Sequence, residues 1–300
     1  MSKPKKKLKL CRQDRIYYAA VGIIVTVFLF AVLYPLIYII SSSFSSGTAV
    51  STGKVILWPV DFSLEGYKSV FSNKDILVGY RNTIFYTIAG TFFDVCITLI
   101  AAYPLSRRDF VGRNFFSFFF SFTMMFSGGI VPSYLLLKDL HMLNTAWSIL
   151  LPGALSVYNM LVVKTFMQTS IPPDLLEAAQ IDGCSDTKYF FKILLPLSKA
   201  SIAVISLFYA VGHWNSYFNA LMYLNDRELI PLQLVLREIL INNKMDADMV
   251  TDPALLEAKA GMADLLKYSL MVVSSVPILC IYPFVQKYFV KGVMVGSVKG

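Results

Sequence analysis

The sequence predicts an all-α polytopic membrane protein with six transmembrane helices. Its 300 residues are 56% hydrophobic and only 15% charged, with a mean hydropathy of +0.60, which is more apolar surface than one soluble core can bury. The apolar residues form runs of about 20 or more, the length a helix needs to cross a bilayer. These runs are apolar on all sides, which favours helices over a β-barrel of short alternating strands.

Six segments have the length and composition of a span. They are residues 16–40, 83–103, 115–137, 146–166, 200–223 and 265–289. The first run is longer than the core of a signal peptide, so we expect an uncleaved helix. The spans define a six-span domain at 16–290, with a basic N-terminal segment at 1–15 and a C-terminal tail at 291–300. The large loops 41–81 and 224–264 lie on one side, and no loop is large enough to form an enzyme domain.

The basic residues predict the orientation. If the N-terminus is cytoplasmic, the inside segments hold 17 of the 27 basic residues, as the positive-inside rule requires. The C-terminus is then also cytoplasmic, and the loops 41–81 and 224–264 are outside. A net charge of +8 divided in this way indicates topology and attraction to anionic lipid headgroups rather than nucleic-acid binding.

The polar loop between the fourth and fifth spans can fold by local rules. Pro172 and Pro173 end the preceding helix, and Asp174 with Glu177 three residues later is typical of a capping box that starts a new one. Gly183 suits the left-handed residue that ends a helix. We therefore predict a short helix between these signals.

A second short helix follows in the same loop. Either Ser185 or Asp186 can cap its N-terminus, and Pro196 stands at the turn into the fifth span. The loop, residues 174–196, is thus predicted to be an L-shaped helix pair against the membrane face.

This loop carries a motif, EAA-x-x-D-G with a proline thirteen residues after the glycine. Its residues are Glu177, Ala178, Ala179, Asp182, Gly183 and Pro196. The segment resembles the cytoplasmic coupling segment in the membrane subunits of ATP-binding-cassette (ABC) importers. Glu-Ala-Ala alone is common in capped loop helices, but the full register is specific.

Other stretches resemble the carbohydrate-uptake permeases of that family. They include Asn82-Thr83, Ala102-Tyr103-Pro104-Leu105-Ser106-Arg107, Trp214-Asn215 and residues 282–292. Among these permeases the chain is most similar to the LplC-like branch, and more distantly to MalG-type maltose permeases. The tail residues Gly296, Ser297, Val298, Lys299 and Gly300 resemble a maltose-permease tail that enters the interface between ATPase subunits.

The resemblance implies a type I ABC importer permease fold in a bacterial plasma or inner membrane, with the EAA helix docked on an ATPase. It implies four partners besides the lipid bilayer: a second homologous permease, an ABC ATPase dimer, an extracytoplasmic solute-binding protein and a carbohydrate substrate, expected to be an oligosaccharide. ATP and Mg²⁺ would be bound by the partner ATPase. This chain is expected to bind no cofactor or metal and to have no catalytic residue.

Polar residues within the spans are candidates for the substrate pathway. They are Asp94, His213, Trp214, Asn215, Tyr217 and Asn219. An acid at membrane depth costs about 2.5–3.5 kcal/mol on insertion scales, so it should face a partner or water. Aromatic and amide groups can stack on sugar rings and bond their hydroxyls. Hydrogen bonding between spans and anchoring at the membrane interface explain the same residues without a substrate.

Two other classes of function remain open from the residues alone. A self-contained secondary transporter or channel would use Asp94 for ion coupling and need no ATPase. A membrane sensor or scaffold would use the polar loop only to recruit partners. A stretch near Gly47 imitates a phosphate-binding loop, but its spacing is one residue too long, and Val55 follows Lys54 where Ser or Thr is needed.

Overall fold

The computed structural model describes residues 11–248, 261–281 and 283. Within these residues the regular elements are helices, which confirms the all-α prediction. They are α1 Arg12–Ser43, α2 Gly47–Ser51, α3 Glu65–Ser72, α4 Lys74–Ser106, α5 Arg113–Met125, α6 Ile130–Asp139, α7 Trp147–Leu150, α8 Val157–Ser170, α9 Asp174–Ile181, α10 Asp186–Tyr189, α11 Leu195–Leu197, α12 Lys199–Trp214, α13 Phe218–Tyr223, α14 Leu232–Asp248 and α15 Gly261–Ile281. A π-helical turn, Phe190–Leu194, joins α10 to α11.

Three of the predicted spans correspond to single long helices. α1, α4 and α15 have 32, 33 and 21 residues and are apolar enough to cross a bilayer. α4 begins at Lys74, well before the predicted residue 83, because Asn73 caps it. The Asn73 Oδ1 accepts hydrogen bonds from the backbone N–H groups of Asp75 at 2.9 Å and Ile76 at 3.4 Å. Capping rather than hydropathy therefore sets the start of this helix.

The third predicted span is bent, since α5 and α6 meet at 112°. A second bend, of 79°, lies just before the fifth predicted span, where the run Asp186–Leu197 meets α12. That span, 200–223, is itself divided between α12 and α13. At the first bend Gly129 has φ +87°, which an L side chain rarely adopts. With each bent pair counted as one span, the described residues contain up to five candidate spans.

The fourth predicted span, 146–166, is not one helix. α7 ends at Leu150, and α8 begins at Val157. Between them Pro152 lacks a backbone N–H, and Gly153 has φ +84°, so the backbone cannot continue as a helix. The Ser156 hydroxyl then accepts a hydrogen bond from the Asn159 N–H at 3.4 Å and starts α8. At 14 residues, α8 is about 21 Å long, shorter than a hydrocarbon core of about 30 Å.

The described residues form two compact units, those of Met1–Val70 with Asn243–Val272 and those of Phe71–Asn242 with Val273–Gly300. In the first unit, a small cluster of Ala49, Val50 and Val55 packs against Tyr38 and Tyr268. The apolar part of α1 has no buried residue, as expected for a helix that faces lipid.

The core of the second unit lies between α4, α8 and α12. Its buried members on these helices are Val95, Leu99, Ala102, Leu105, Met160, Val163, Met167, Ile205 and Tyr209. A buried hydrogen bond of 2.6 Å joins the hydroxyls of Thr98 on α4 and Tyr209 on α12. The Tyr209 oxygen also accepts a hydrogen bond from the Ser156 N–H at 3.0 Å. One phenol thus links α4, α12 and the start of α8.

The start of the loop 224–264 is fastened to α4 by side chains. The Asn82 amide donates hydrogen bonds to the carbonyls of Glu228 at 2.7 Å and Ile230 at 3.1 Å. The Thr83 hydroxyl accepts a hydrogen bond from the Leu232 N–H at 2.8 Å. This segment is therefore held rigidly on α4, while residues 249–260 of the same loop lie outside the described residues.

Candidate functional site

The first candidate site is the polar segment of residues 174–196. Its first helix, α9, begins differently from the prediction. The prediction of a capping box at Asp174 and Glu177 is wrong, because Pro173 occupies the N-cap and makes no side-chain cap. The first turn is closed instead by the Pro173 carbonyl, which accepts a hydrogen bond from the Leu176 N–H at 2.9 Å. Asp174 and Glu177 remain in the first turn, where negative charge favours the helix dipole.

The two faces of α9 differ in burial. Leu176 packs against the core of the second unit, and Ala179 is a buried member of it. On the opposite face Ile181 is 87% exposed, and Leu175, on the side of the helix next to Ala179, is 39% exposed. Ala178 and Asp182 are also exposed. α9 thus has an inner face that fixes it to the bundle and an opposite face on which Ile181 is uncovered.

The turn after α9 has the predicted geometry. Gly183 has φ +70°, and its N–H donates a hydrogen bond to the Gln180 carbonyl at 3.0 Å. A Cβ on Gly183 would meet nothing within 4 Å, so the need for glycine here is conformational rather than steric. Ser185 rather than Asp186 caps α10, with its hydroxyl accepting a hydrogen bond from the Lys188 N–H at 3.3 Å.

The second half of the segment leads into α12. Tyr189, Phe190 and Leu194 are buried in the core, which holds the π-helical turn against the bundle. Pro196 lies in the short helix α11, just before the 79° bend into α12. The predicted turn near Pro196 is confirmed.

Arg107, immediately after α4, fastens this segment to the bundle. Its guanidinium forms an ion pair with Asp186 at the start of α10, and donates hydrogen bonds to Asp109 at 2.9 Å and to the Tyr103 hydroxyl at 3.0 Å. The Arg107 side chain is only 11% exposed. Its hydrogen bond to Asp109 raises the pKa of Arg107, and the same bond holds the pKa of Asp109 below its usual range. The sequence had indicated Arg107 only as an inside charge and as part of a family motif.

A cavity of about 550 Å³ separates the end of α4 from α9. Among its lining residues are Tyr103, Arg107, Arg108, Met167, Glu177 and Gln180. Glu177 therefore faces the same space as Arg107, Arg108 and Asp109, although no ion pair joins it to either arginine among the contacts of the described residues. We call this space the loop cavity.

The second candidate site lies within the helix bundle, around Asp94 on α4. Asp94 is 2% exposed, and its Oδ2 is 2.7 Å from Nε2 of His213 on α12. Gly90 creates the space for this imidazole, because a Cβ there would lie 2.4 Å from His213 Nε2. Among the described residues, no hydrogen-bond partner reaches the other Asp94 oxygen, Oδ1.

A cavity of about 310 Å³ adjoins this pair, and we call it the Asp94 cavity. Its lining residues are Asp94, Ile149, Pro152, Gly153, Ser156, Asn159, Phe208, Tyr209, Gly212, His213, Ser216 and Asn219. Sequence reasoning missed Ser156 and Asn159, since both fell in a stretch interpreted as continuous span. The signal was Pro152-Gly153, which indicates a helix break and hence a lined cavity.

The other candidate pathway residues lie away from this cavity. Trp214 is 5% exposed, and its Nε1–H donates a hydrogen bond of 2.9 Å to the Ser274 carbonyl. Asn215 bonds back to the Val211 carbonyl of its own helix at 2.9 Å. Tyr217 is 43% exposed. The structure thus brings together Asp94, His213 and Asn219 but not these three. The tail residues 296–300 lie outside the described residues.

A bundle that contains long apolar helices places the chain in the class of polytopic membrane proteins. Residues 76–295 match the family model described as binding-protein-dependent transport system inner membrane component. The match covers more than half of the chain, so the chain belongs to this family of ABC transport permeases and is a transport subunit rather than an enzyme.

Curated relatives agree with this assignment. The chain is 43% identical over 270 residues to the polygalacturonan/rhamnogalacturonan transport system permease protein YtcP of Bacillus subtilis, covering 89% of this chain and 92% of that protein. It is 41% identical over 268 residues to the protein LplC of the same organism, covering 89% and 90%. Both relatives therefore match along nearly their whole length.

A solved structure has the same fold. It is the crystal structure of a bacterial ABC transporter involved in the import of the acidic polysaccharide alginate. The TM-score is 0.84 at 35% sequence identity, and the alignment covers 94% of this chain and 99% of the other. The resemblance to carbohydrate-importer permeases is thus confirmed by both sequence and fold.

Proposed function

We propose that this chain forms half of the translocation pathway of an ABC importer for an oligosaccharide, and that the 174–196 segment docks on a separate ATPase. The observation that carries the proposal is the architecture of α9. Its inner face is built into the core, while Ile181 is uncovered on the opposite face and Leu175 is partly exposed beside the inner face. A large exposed apolar side chain on a fixed helix suits a protein contact.

The mechanism follows from how the segment is attached. ATP and Mg²⁺ bind the ATPase dimer, and its closure moves α9. Because Leu176 and Ala179 pack in the core and Asp186 is paired with Arg107, α9 cannot move independently of α4 and α12. The displacement therefore reaches the helices that line the pathway, which alternates between outward and inward access. No covalent chemistry takes place in this chain.

We infer six spans in a bacterial plasma or inner membrane, with both termini cytoplasmic. The asymmetry of the basic residues supports this orientation. In this arrangement α7 and α8 together with the Pro152-Gly153 break form the fourth span, in which irregular backbone is tolerated because it lines a cavity. The tail residues 296–300 would then enter the ATPase interface.

The substrate class is supported by the relatives. One is described as a permease for polygalacturonan and rhamnogalacturonan, and the solved structure belongs to an alginate importer. We propose a carbohydrate substrate, delivered by an extracytoplasmic binding protein to this chain and a second, homologous permease. The loop 224–264 is the proposed contact for that protein, and its anchoring by Asn82 and Thr83 gives a docked partner a firm surface.

The two other classes predict different behaviour. A secondary transporter that couples ions through Asp94 would transport without an ATPase, and a sensor or scaffold would bind partners without flux. Family membership and the fastened 174–196 segment favour the ABC permease over both.

Reconstitution tests the proposal. The chain, its partner permease, the ATPase and the binding protein are placed in vesicles, and uptake of a labelled rhamnogalacturonan oligosaccharide, which contains neutral as well as acidic sugar units, is followed with and without ATP. We expect uptake only with ATP, and its loss in Gly183→Pro, because proline cannot adopt φ +70° or supply the N–H that bonds Gln180. Uptake without ATP, or undiminished in that variant, contradicts the proposal.

A matched pair of milder variants separates coupling from general strain. Gly183 and Gly53 have φ +70° and +69°, and a Cβ at either meets nothing within 4 Å. Alanine at each position therefore costs a similar amount, about 1–2 kcal/mol. We expect Gly183→Ala to reduce ATP-driven uptake several-fold and Gly53→Ala to leave it nearly unchanged.

A further inference from the structure

The Asp94 cavity holds a polar group whose bonding is incomplete. Asp94 is 2% exposed, its Oδ2 is occupied by His213, and its Oδ1 has no hydrogen-bond partner among the described residues. A buried oxygen without a donor costs about 1–3 kcal/mol, and more when it is charged. Because Asp94 lines the cavity, a small rotation of its carboxylate would bring this unpaired acceptor to a ligand that carries a hydrogen-bond donor.

The rest of the lining extends this polar character. Asn159, across the cavity on α8, is 5% exposed, and its side-chain amide makes no hydrogen bond within the described part of the chain. The Ser156 oxygen accepts the helix-capping bond, which leaves its hydroxyl proton available to an occupant. Asn219 adds a second amide. The cavity thus offers a carboxylate acceptor, amides that both donate and accept, and a hydroxyl donor.

Apolar side chains complete the walls. Ile149, Pro152 and Phe208 lie between the polar groups, and a mixed apolar and hydrogen-bonding lining fits the two faces of a sugar ring. The volume of about 310 Å³ is at the lower limit of small-molecule sites, about 300–1,000 Å³. It accommodates one ring rather than a chain.

We propose that the Asp94 cavity is a subsite for one neutral pyranose unit of the transported oligosaccharide, with a ring hydroxyl donating to Asp94 Oδ1 and the Asn159 amide bonding a neighbouring hydroxyl. The proposal rests on the transport function above and specifies where this permease contacts its cargo. The subsite discriminates against a uronate at this position, because the uronate carboxylate and the Asp94 carboxylate carry like charges and repel each other.

The test measures binding directly and needs no binding protein. This chain, its partner permease and the ATPase dimer are purified together in lipid nanodiscs, and saturation-transfer NMR follows methyl β-D-galactopyranoside. The corresponding methyl galactopyranosiduronate is the acidic comparison. We expect binding of the neutral glycoside and at least tenfold weaker binding of the acidic one.

Asp94→Asn should weaken binding of the neutral glycoside about tenfold, because a charged hydrogen bond is replaced by a neutral one. Its control is Thr91→Val, a nearly isosteric loss of a polar group on the same helix but outside the cavity. Each complex is first checked for assembly by size-exclusion chromatography.

A second pair of variants does not depend on a buried charge. Gly212 lines the cavity, and a Cβ there meets nothing within 4 Å. Gly212→Leu should therefore fill the cavity and abolish binding while leaving Asp94 and His213 in place, and Gly212→Ala should retain it. Three outcomes would each overturn the subsite: no binding by the wild-type complex, equal binding of the acidic glycoside, or undiminished binding in both Asp94→Asn and Gly212→Leu. ATP-driven uptake by the same wild-type proteins, reconstituted in vesicles together with the binding protein, would leave the transport function standing.

Discussion

Arg107 is the residue on which the link between the 174–196 segment and α4 depends most. It is the one side chain among the described contacts that joins α10, the following turn and the last turn of α4, through Asp186, Asp109 and Tyr103. Most of its side chain is withdrawn from solvent, so these bonds are screened less than those of an exposed pair. Movement of the segment is therefore transmitted to α4 through a short polar connection.

Replacing Arg107 by methionine should uncouple the 174–196 segment from α4 without unfolding the helix bundle. Methionine keeps most of the apolar stem in its packed position but loses the hydrogen bond to Tyr103 and both ion pairs. Because Asp109 and Asp186 are 61% and 65% exposed, each ion pair contributes about 1 kcal/mol or less. We expect several-fold less oligosaccharide transported per ATP hydrolysed. The measurement is that ratio in reconstituted vesicles.

Arg81→Met is the control for this loss. Arg81 lies in α4 and pairs with Glu228 at 3.6 Å. Both side chains of this pair are about two-thirds exposed or more, and such pairs contribute about 0–1 kcal/mol. An equal loss of coupling in both variants would show that Arg107 does not transmit movement of the 174–196 segment to α4.

At the level of elements, α9 is the helix whose exposed face needs a partner. Its exposed apolar residues, Leu175 and Ile181, cannot be explained by the core, since Leu176 and Ala179 already anchor the helix there. In an isolated chain such a face is an uncovered surface, whereas in the proposed transporter it is an interface.

Ile181→Asp should therefore weaken the contact with the ATPase. Full burial of an isoleucine is worth about 1.5–3 kcal/mol, which corresponds to a loss of affinity of roughly ten- to hundredfold. The measurement is the dissociation constant of the ATPase for nanodiscs that hold the two permeases. Val111→Asp is the control, because Val111 is 90% exposed but lies in the turn after α4. Unchanged affinity for Ile181→Asp would place the docking surface elsewhere.

The helix signals of this segment were mostly readable from the sequence. Gly183 and Ser185 act as predicted, because a left-handed turn and an N-cap are local requirements of the backbone. The start of α9 was not predicted correctly, since a proline carbonyl replaced the expected Asp174 cap. The pairing of Arg107 with Asp186 is a contact between residues distant in sequence, which local rules do not encode.

Over the whole molecule, hydropathy predicted where apolar helices occur but not where they break. The run 146–166 is mainly apolar, yet Pro152 and Gly153 divide it, and hydropathy averages over such a pair. Asp94 shows the same limit. Its depth in a span was evident, whereas its bond to His213 and the cavity beside it depend on the packing of α4, α8 and α12.

The orientation in the membrane is the last prediction, and it rests on charge. If the basic excess lies inside, the turn after α4 is cytoplasmic and the loop after α2 is outside. In a background where Cys11, Cys96, Cys184 and Cys280 are serine, Thr52→Cys should react with a membrane-impermeant maleimide in intact spheroplasts. Val111→Cys should react only after permeabilisation. Both positions are exposed, so a difference in labelling reflects the side of the membrane. The reverse pattern would put the 174–196 segment on the side without ATP, and it could not then be the contact for an ATPase.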